Sequence, residues 1–198
     1  MLKEKLSKYN IILASKSPRR QFLLKELGLN FEIRTKDTDE SFPKRLKGKQ
    51  IALYLCRKKA DVFKHELKPN DLLLTADTIV WVKNQVLNKP ADYNDAVKML
   101  ELLSGKMHTV YTAVCISSPS QEERPRVKFF AVETKVYFKK LTDIEINFYV
   151  SKYKPYDKAG AYGAQEWIGY VGVKKIIGSY FNVMGLPVKE LYEELMKL

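Results

Sequence analysis

The sequence predicts a mixed α/β chain, on three observations. Short apolar runs of strand length alternate with segments whose apolar residues recur at helical spacing. One run, 71–82, carries apolar residues at both parities, as a central strand covered on both faces does. The chain has 198 residues, enough for one domain with a substantial core, or one domain with two lobes.

A strand begins at Ile11-Ile12-Leu13-Ala14 and breaks at Ser15-Lys16-Ser17-Pro18. A helix follows, with Leu23, Leu24 and Leu27 at helical spacing and Gly28 at its end. Ser17 stands at the N-cap position and Pro18 at the first helical position. Arg19 and Arg20 then fall in the first turn, where the helix end carries partial positive charge and prefers acids. Two cations beside free backbone N–H groups make sense with an anion between them. Strand, tight turn and basic helix start together describe a phosphate site; a solvated turn with two surface arginines is the other reading.

Residues 30–35 alternate like a strand, and 36–43 form a polar loop with Asp37, Asp39 and Glu40. Such a loop is usually just solvated. Beside a basic sequence it makes a divalent cation worth considering, because Mg²⁺ takes carboxylate oxygens and bridges to phosphates. Residues 50–63 read as a helix with Ile51, Leu55, Cys56 and Ala60 inward and Arg57, Lys58 and Lys59 in other directions. Asp77 interrupts the apolar run 71–82. A carboxylate there is costly unless it is paired, hydrogen-bonded or bound to metal. Perturbed buried acids concentrate at functional sites, although a structural Asp serving a neighbouring loop fits the same pattern.

Lys83-Asn84-Gln85 reads as a hairpin turn returning through Val86-Leu87, and 93–103 as a helix with Ala96, Val97, Leu100 and Leu103 on one face. Residues 107–117 and 127–138 form two strands of a long hairpin, joined by a polar loop over 118–126. Thr142 caps a helix through Lys152, with Glu145 completing a capping box and Ile144, Phe148 and Ile146 expected to face inward. Residues 155–165 carry small residues and glycines that let backbone approach a ligand closely, or form a plain loop. A strand over 171–177, a turn at Gly178-Ser179 and a helix from Pro187 over 188–198 complete the chain. No internal repeat and no Gly- or Pro-rich linker divides it.

The composition, 45% hydrophobic and 29% charged, is that of a soluble globular protein. No stretch approaches the length of a membrane span, and no signal peptide is expected. Cys56 and Cys115 lie in apolar patterns and read as buried thiols in a reducing cytosol. Zinc-type Cys/His spacing is absent, and His65 and His108 receive no role. Net charge is +12, and Lys44–Lys68 holds nine Lys/Arg against two Asp/Glu. The excess suits a polyanion, nucleic acid or a nucleoside triphosphate, or a solvated helix face.

Taken together, the motifs resemble the Maf family of nucleoside triphosphate pyrophosphatases, nearly end to end. The resemblance rests on Ala14-Ser15-x-Ser17-Pro18-Arg19-Arg20, Glu40-Ser41, Lys59-Ala60, Ala76-Asp77-Thr78, Lys89-Pro90, Leu103-Ser104-Gly105, Thr112-Ala113-Val114, Asp157-Lys158-Ala159-Gly160-Ala161-Tyr162-Gly163 with Gln165, and Gly185-Leu186-Pro187. It implies an inosine-triphosphatase-like fold, a mixed twisted sheet with flanking helices and a cleft between two lobes, with 1–198 as a single catalytic domain. The implied reaction is cleavage of a nucleotide between the α- and β-phosphates, with a divalent metal. Asp77 is implied as proton acceptor, with Glu40, Lys59 and Lys89 as further catalytic groups and Glu40 and Asp77 as holders of Mg²⁺ or Mn²⁺. Ser15, Arg19, Arg20, Thr78 and Gln165 are implied in substrate binding, with Arg19, Thr78 and Gln165 setting a preference for dTTP and UTP. The branch acting on 7-methyl-GTP has Ser-Glu where this chain has Ala164-Gln165. Asn88 stands where Gly is more usual, and Glu166-Trp167-Ile168-Gly169 replaces a small, glycine-containing segment.

The expected activity is therefore house-cleaning of nucleotide pools by a cytoplasmic homodimer that needs neither nucleic acid nor membrane. A basic nucleic-acid-binding module is the alternative, but it leaves Asp77 and Glu40 unexplained and lacks a recognised motif. A non-enzymatic regulator of septum formation or cell division is a third reading, for which no residue argues.

Overall fold

The protein is described by a computed structural model over residues 2–119 and 126–198. The elements are α1 (Leu2–Lys5), β1 (Asn10–Leu13), α2 (Pro18–Glu26), β2 (Glu32–Ile33), α3 (Lys49–Asp61), β3 (Asp71–Val82), β4 (Gln85–Leu87), α4 (Tyr93–Leu103), β5 (Met107–Ser118), β6 (Arg126–Phe138), α5 (Asp143–Tyr153), α6 (Trp167–Gly172), β7 (Val173–Ile177), α7 (Tyr180–Met184) and α8 (Val188–Leu195), with a 3-10 turn at Ala159–Ala161. The strands form one mixed sheet in the order β2-β1-β3-β5-β6-β7, and β4 pairs with β3. The α/β mixed sheet with flanking helices expected from the sequence is the observed architecture.

By its contacts the chain divides into two compact units. The first comprises Met1–Asp77, Thr112–Val132 and Gly185–Leu198. Here β1 runs parallel to β3, with Leu13 opposite Leu74, and parallel to β2. Its core is made by Ile12, Leu13, Leu24, Ile51, Leu72 and Leu73, each at most 2% exposed. The expected stripe of α3, Ile51, Leu55, Cys56 and Ala60, is buried with Ala52.

The second unit comprises Thr78–Tyr111 and Glu133–Met184. Lys83 and Asn84 both adopt positive φ and make the two-residue turn that returns β3 into β4. Asp92 caps α4 through Asp95 N at 2.8 Å. Thr142 and Glu145 form the expected capping box on α5. One expectation for α5 is overturned. Ile144 is 82% exposed and Phe148 is 42% exposed, while Ile146, Tyr149 and Val150 are buried. The helix is phased on the 146/149/150 face, and Phe148 instead lies 4.8 Å from Trp167, edge to face.

The short helices α1, α6 and α7 have no counterpart among the expected elements, and β7 begins at Val173, later than expected, because α6 takes up residues to Gly172. The loop expected over 118–126 lies largely outside the described residues.

His108, given no role by sequence, is buried on β5 with Nε2 2.7 Å from the Tyr162 hydroxyl and its ring edge-to-face with Phe138 and Tyr162. Burial pushes its pKa from 6.5 down to about 3. The folded state therefore binds fewer protons than the unfolded state in that window, and stability rises with pH across it. His108→Phe should flatten the fall in urea midpoint between pH 7 and pH 5, by roughly one proton's linkage of ~1.4 kcal/mol per pH unit. An unchanged difference between the two pH values would refute this role.

Candidate active site

The first group of candidate residues sits at the carboxyl end of β1, where open parallel sheets bind ligands. Ala14 N still donates to Leu74 O at 2.9 Å, and then the chain turns away. The turn is made by Ser15, whose hydroxyl accepts from Ser17 N at 3.2 Å and from the Arg20 guanidinium at 3.3 Å. Ser17 does occupy the N-cap position of α2 with extended backbone, but its side chain makes no capping bond. Ser15 takes the amide of Ser17 instead. Arg20 Nε also donates to Gly185 O at 2.8 Å, which ties the first turn of α2 to the Gly185-Leu186-Pro187 stretch before α8. Burial lowers the Arg20 pKa, against the attraction of Asp77. Arg19 is half-buried in the same turn.

Asp77 lies on β3, past the last residue paired with β1, and its side chain is 8% exposed. Lys59, in the last turn of α3, places Nζ 2.5 Å from Asp77 Oδ1 and 2.9 Å from Glu40 Oε1. One ammonium thus joins the strand carboxylate to the acidic loop. The loop is held further by Lys58, whose Nζ is 2.6 Å from Asp39 Oδ2, while Asp39 accepts from Ser41 N at 2.9 Å. Lys58 and Ser41 hold the Asp39 carboxyl below the usual carboxylate range. Burial raises the Asp77 pKa, although Lys59 and Arg20 pull it down. Lys59 would be lowered by its own burial, but Asp77 and Glu40 reverse this and raise it. A desolvated carboxylate of raised pKa is a better base than an ordinary aspartate, and the neighbouring cation keeps it in the charged form.

Two carboxylates that converge on one cation are hard oxygen donors, so Glu40 and Asp77 have the chemistry that would suit a divalent ion. Among the described residues there is no group of three or more His, Cys, Asp or Glu that could hold a metal ion.

The other sequence-predicted residues belong to the second unit. Thr78, the residue after Asp77 on β3, is half-buried, and Lys89, just after β4, is exposed. Gln165 is half-buried in the glycine-rich loop. Its Oε1 is fully buried and has no hydrogen-bond partner among the described residues. Around it is a cluster that sequence reasoning missed. The Tyr149 hydroxyl donates to Glu166 Oε2 and accepts from Gly163 N at 3.0 Å. Lys158 Nζ lies 3.0 Å from Glu166 Oε1 and 2.7 Å from Asp157 Oδ1. Asp157, Lys158 and Gly163 of this cluster lie in the motif quoted from the sequence, but their meeting with Tyr149 and Glu166 gave no signal there. The structure thus links Ser15 with Arg20, and Glu40 and Asp77 with Lys59, and the Arg20 charge acts on Asp77; Thr78, Lys89 and Gln165 belong to the second unit.

The chain matches the family model described as "Maf-like protein" over residues 10–198. It is 51% identical over 194 residues to a protein of Bacteroides thetaiotaomicron named dTTP/UTP pyrophosphatase, covering 98% of each chain. It is 50% identical over 198 residues to one of the same name from Flavobacterium johnsoniae, covering 100% of both. Among solved structures, a HAM1 protein from Coxiella burnetii aligns over 96% of this chain and 100% of its own, with a TM-score of 0.48 and 16% identity. A family match running from β1 through α8, with every motif that builds the site inside it, places this chain in the Maf-like protein family.

Proposed function

We propose that this chain is a metal-dependent nucleotide pyrophosphatase that hydrolyses dTTP, UTP and modified pyrimidine triphosphates to the monophosphate and pyrophosphate. It acts as a single catalytic domain, in the cytoplasm and as a homodimer, to clear nucleotide pools. The observation that carries the reading is the Lys59 ammonium held between Asp77 and Glu40. The names of the half-identical, full-length relatives supply the substrate class. Binding of a nucleic-acid backbone has no use for two converging carboxylates. No helix among the described residues is long and apolar enough to cross a membrane.

In this reading Asp77 accepts a proton from a water aligned on the α-phosphorus. The water oxygen bonds to that phosphorus, the bond from it to the α,β-bridging oxygen breaks, and pyrophosphate leaves with the bridging oxygen. Arg19, Arg20, Lys59 and Lys89 neutralise phosphate charge, and Ser15 adds a hydroxyl at the turn. Glu40 and Asp77 would hold Mg²⁺ or Mn²⁺, which would supply charge neutralisation at the phosphates. Thr78 and Gln165 contact the base, and the buried, unpartnered Gln165 Oε1 supports this role.

The reading is tested by assaying pyrophosphate release from a panel of natural and modified triphosphates with Mg²⁺, with Mn²⁺ and with a chelator. The expected result is metal-dependent release from dTTP and UTP above the other natural nucleotides. Inorganic phosphate as the product, or no preference for these two, would overturn it. Gln165→Glu should lower turnover of dTTP and UTP selectively, because an amide donor becomes an acceptor, at a cost of about 1–3 kcal/mol. An equal loss for all nucleotides, or none, removes Gln165 from base recognition.

A further inference from the structure

We infer that Lys58, Asp39 and Ser41 are positioning residues: they bracket Glu40 on both sides and hold its place beside the end of α3, independently of Lys59. The inference rests on the role proposed above for Glu40.

Glu40-Ser41 stands out in the sequence as a pair, yet the proposed reaction uses Glu40 alone. The structure gives Ser41 a use. Asp39 and Ser41 are the chain neighbours of Glu40, and both are bonded to one ammonium. Lys58 Nζ lies 2.6 Å from Asp39 Oδ2 and donates to Ser41 O at 3.3 Å. The two neighbours are also bonded to each other across Glu40. Asp39 Oδ1 accepts from Ser41 N at 2.9 Å, as in an Asx turn, and the Ser41 hydroxyl donates to Asp39 Oδ2. Glu40 is thus the middle residue of a closed turn whose two ends are tied to α3. The loop enters over the same end of the helix, where Lys36 Nζ donates to Val62 O at 3.0 Å and pairs with Glu66.

Lys58 and Lys59 are consecutive residues in the last turn of α3, and they hold different things. Lys59 Nζ meets the Glu40 carboxylate itself, at 2.9 Å, but it also pairs with Asp77 and, in the proposed reaction, with phosphate. An ammonium drawn toward a triphosphate holds a carboxylate less tightly. Lys58 binds the turn on either side of Glu40, so the turn stays on α3 while Lys59 changes partners. A backbone already fixed at Glu40 leaves less freedom to be lost when its carboxylate meets a ligand. The Asp39 side chain is 66% exposed and that of Lys58 31% exposed. Water therefore screens the pair, and its effect is a few-fold one.

The test compares kcat and KM for dTTP in wild type, Lys58→Met, Lys58→Arg, Asp39→Ala, Glu40→Gln and the double variant Lys58→Met/Glu40→Gln. Thermal melts and hydrogen exchange of the segment 36–43 are measured on the same proteins without nucleotide. Lys58→Met and Asp39→Ala should each lower kcat/KM about fivefold at an unchanged melting temperature. Exchange over 36–43 should quicken in both, because the Ser41 amide loses its protection. Lys58→Arg keeps the charge and the donors and should recover most of the loss. In the Glu40→Gln background Lys58→Met should cost nothing more, since a residue that acts through Glu40 has nothing left to position. If Asp39→Ala does not fold, Asp39→Asn, which keeps an acceptor for the Ser41 amide but not the charge for Lys58, must show a smaller loss of the same kind. A full fivefold loss in the Glu40→Gln background, no loss in the single variants, or a loss without faster exchange overturns the positioning role. Impaired Glu40→Gln beside unimpaired Lys58→Met sinks this inference alone, whereas Glu40→Gln with wild-type turnover removes the proposed role of Glu40 as well.

Discussion

Asp77→Asn should fold, bind nucleotide and lose at least about 100-fold in pyrophosphate release at saturating metal, the usual size of a general-base contribution. Asn nearly matches Asp in volume and can still accept a hydrogen bond from Lys59 Nζ, which lies 2.5 Å from Asp77 Oδ1. It cannot take a proton at neutral pH. The fold should survive because the substitution removes a charge that burial already disfavours. Two roles can be separated by titrating Mn²⁺. If Asp77 is only the base, metal affinity changes little; if it also ligates, raising Mn²⁺ recovers part of the activity. A folded Asp77→Asn protein with near wild-type turnover of dTTP would contradict the mechanism.

Lys59→Met is expected to have the second-largest effect. Removing the ammonium leaves Asp77 in its desolvated place with less opposing charge, so its pKa rises further above the ordinary value. The base works only when deprotonated. Its loss of charge on acidification therefore begins at higher pH in the variant, and the acid limb of the pH–rate profile moves upward. At neutral pH kcat/KM should fall about 100-fold or more, from both the protonated base and the lost phosphate contact. Part of that loss should return as the assay pH is raised. A profile with an unmoved acid limb would show that Lys59 acts on phosphate alone and does not tune Asp77. The Glu40 loop should also loosen in this variant, because Lys59 holds it at 2.9 Å; Lys58, 2.6 Å from Asp39, then remains as its tie to α3.

Much of this arrangement was legible in the sequence, for reasons that differ from residue to residue. Asp77 was visible because a carboxylate in the apolar run 71–82 has no cheap local explanation, and the structure buries it beside Lys59. The capping box of Thr142 and Glu145 was visible because both partners lie within one turn. By periodicity Lys59 is one of three basic residues off the buried stripe of α3, and its catalytic role came from the family resemblance alone. Its pairing with Asp77 and Glu40 joins residues far apart in sequence, which periodicity does not register. Ser17 was read as the N-cap from local statistics, but the hydroxyl of Ser15, two residues earlier, takes its amide. Ile144 and Phe148 matched a helical period, yet the phase of α5 was decided by what it packs against, and Ile146, Tyr149 and Val150 won. The helix α6 gave no signal, since Glu166 at its start makes no side-chain cap and Gly169 and Gly172 lower its propensity.

The central claim is that water attacks the α-phosphorus of a pyrimidine triphosphate with Asp77 as base. It is tested most directly by hydrolysing dTTP in ¹⁸O-labelled water and locating the label by mass spectrometry. The account predicts one ¹⁸O in dTMP and none in pyrophosphate, with the rate of labelling suppressed in Asp77→Asn. Label in the pyrophosphate, or in free inorganic phosphate, would place the attack on another phosphorus and contradict it.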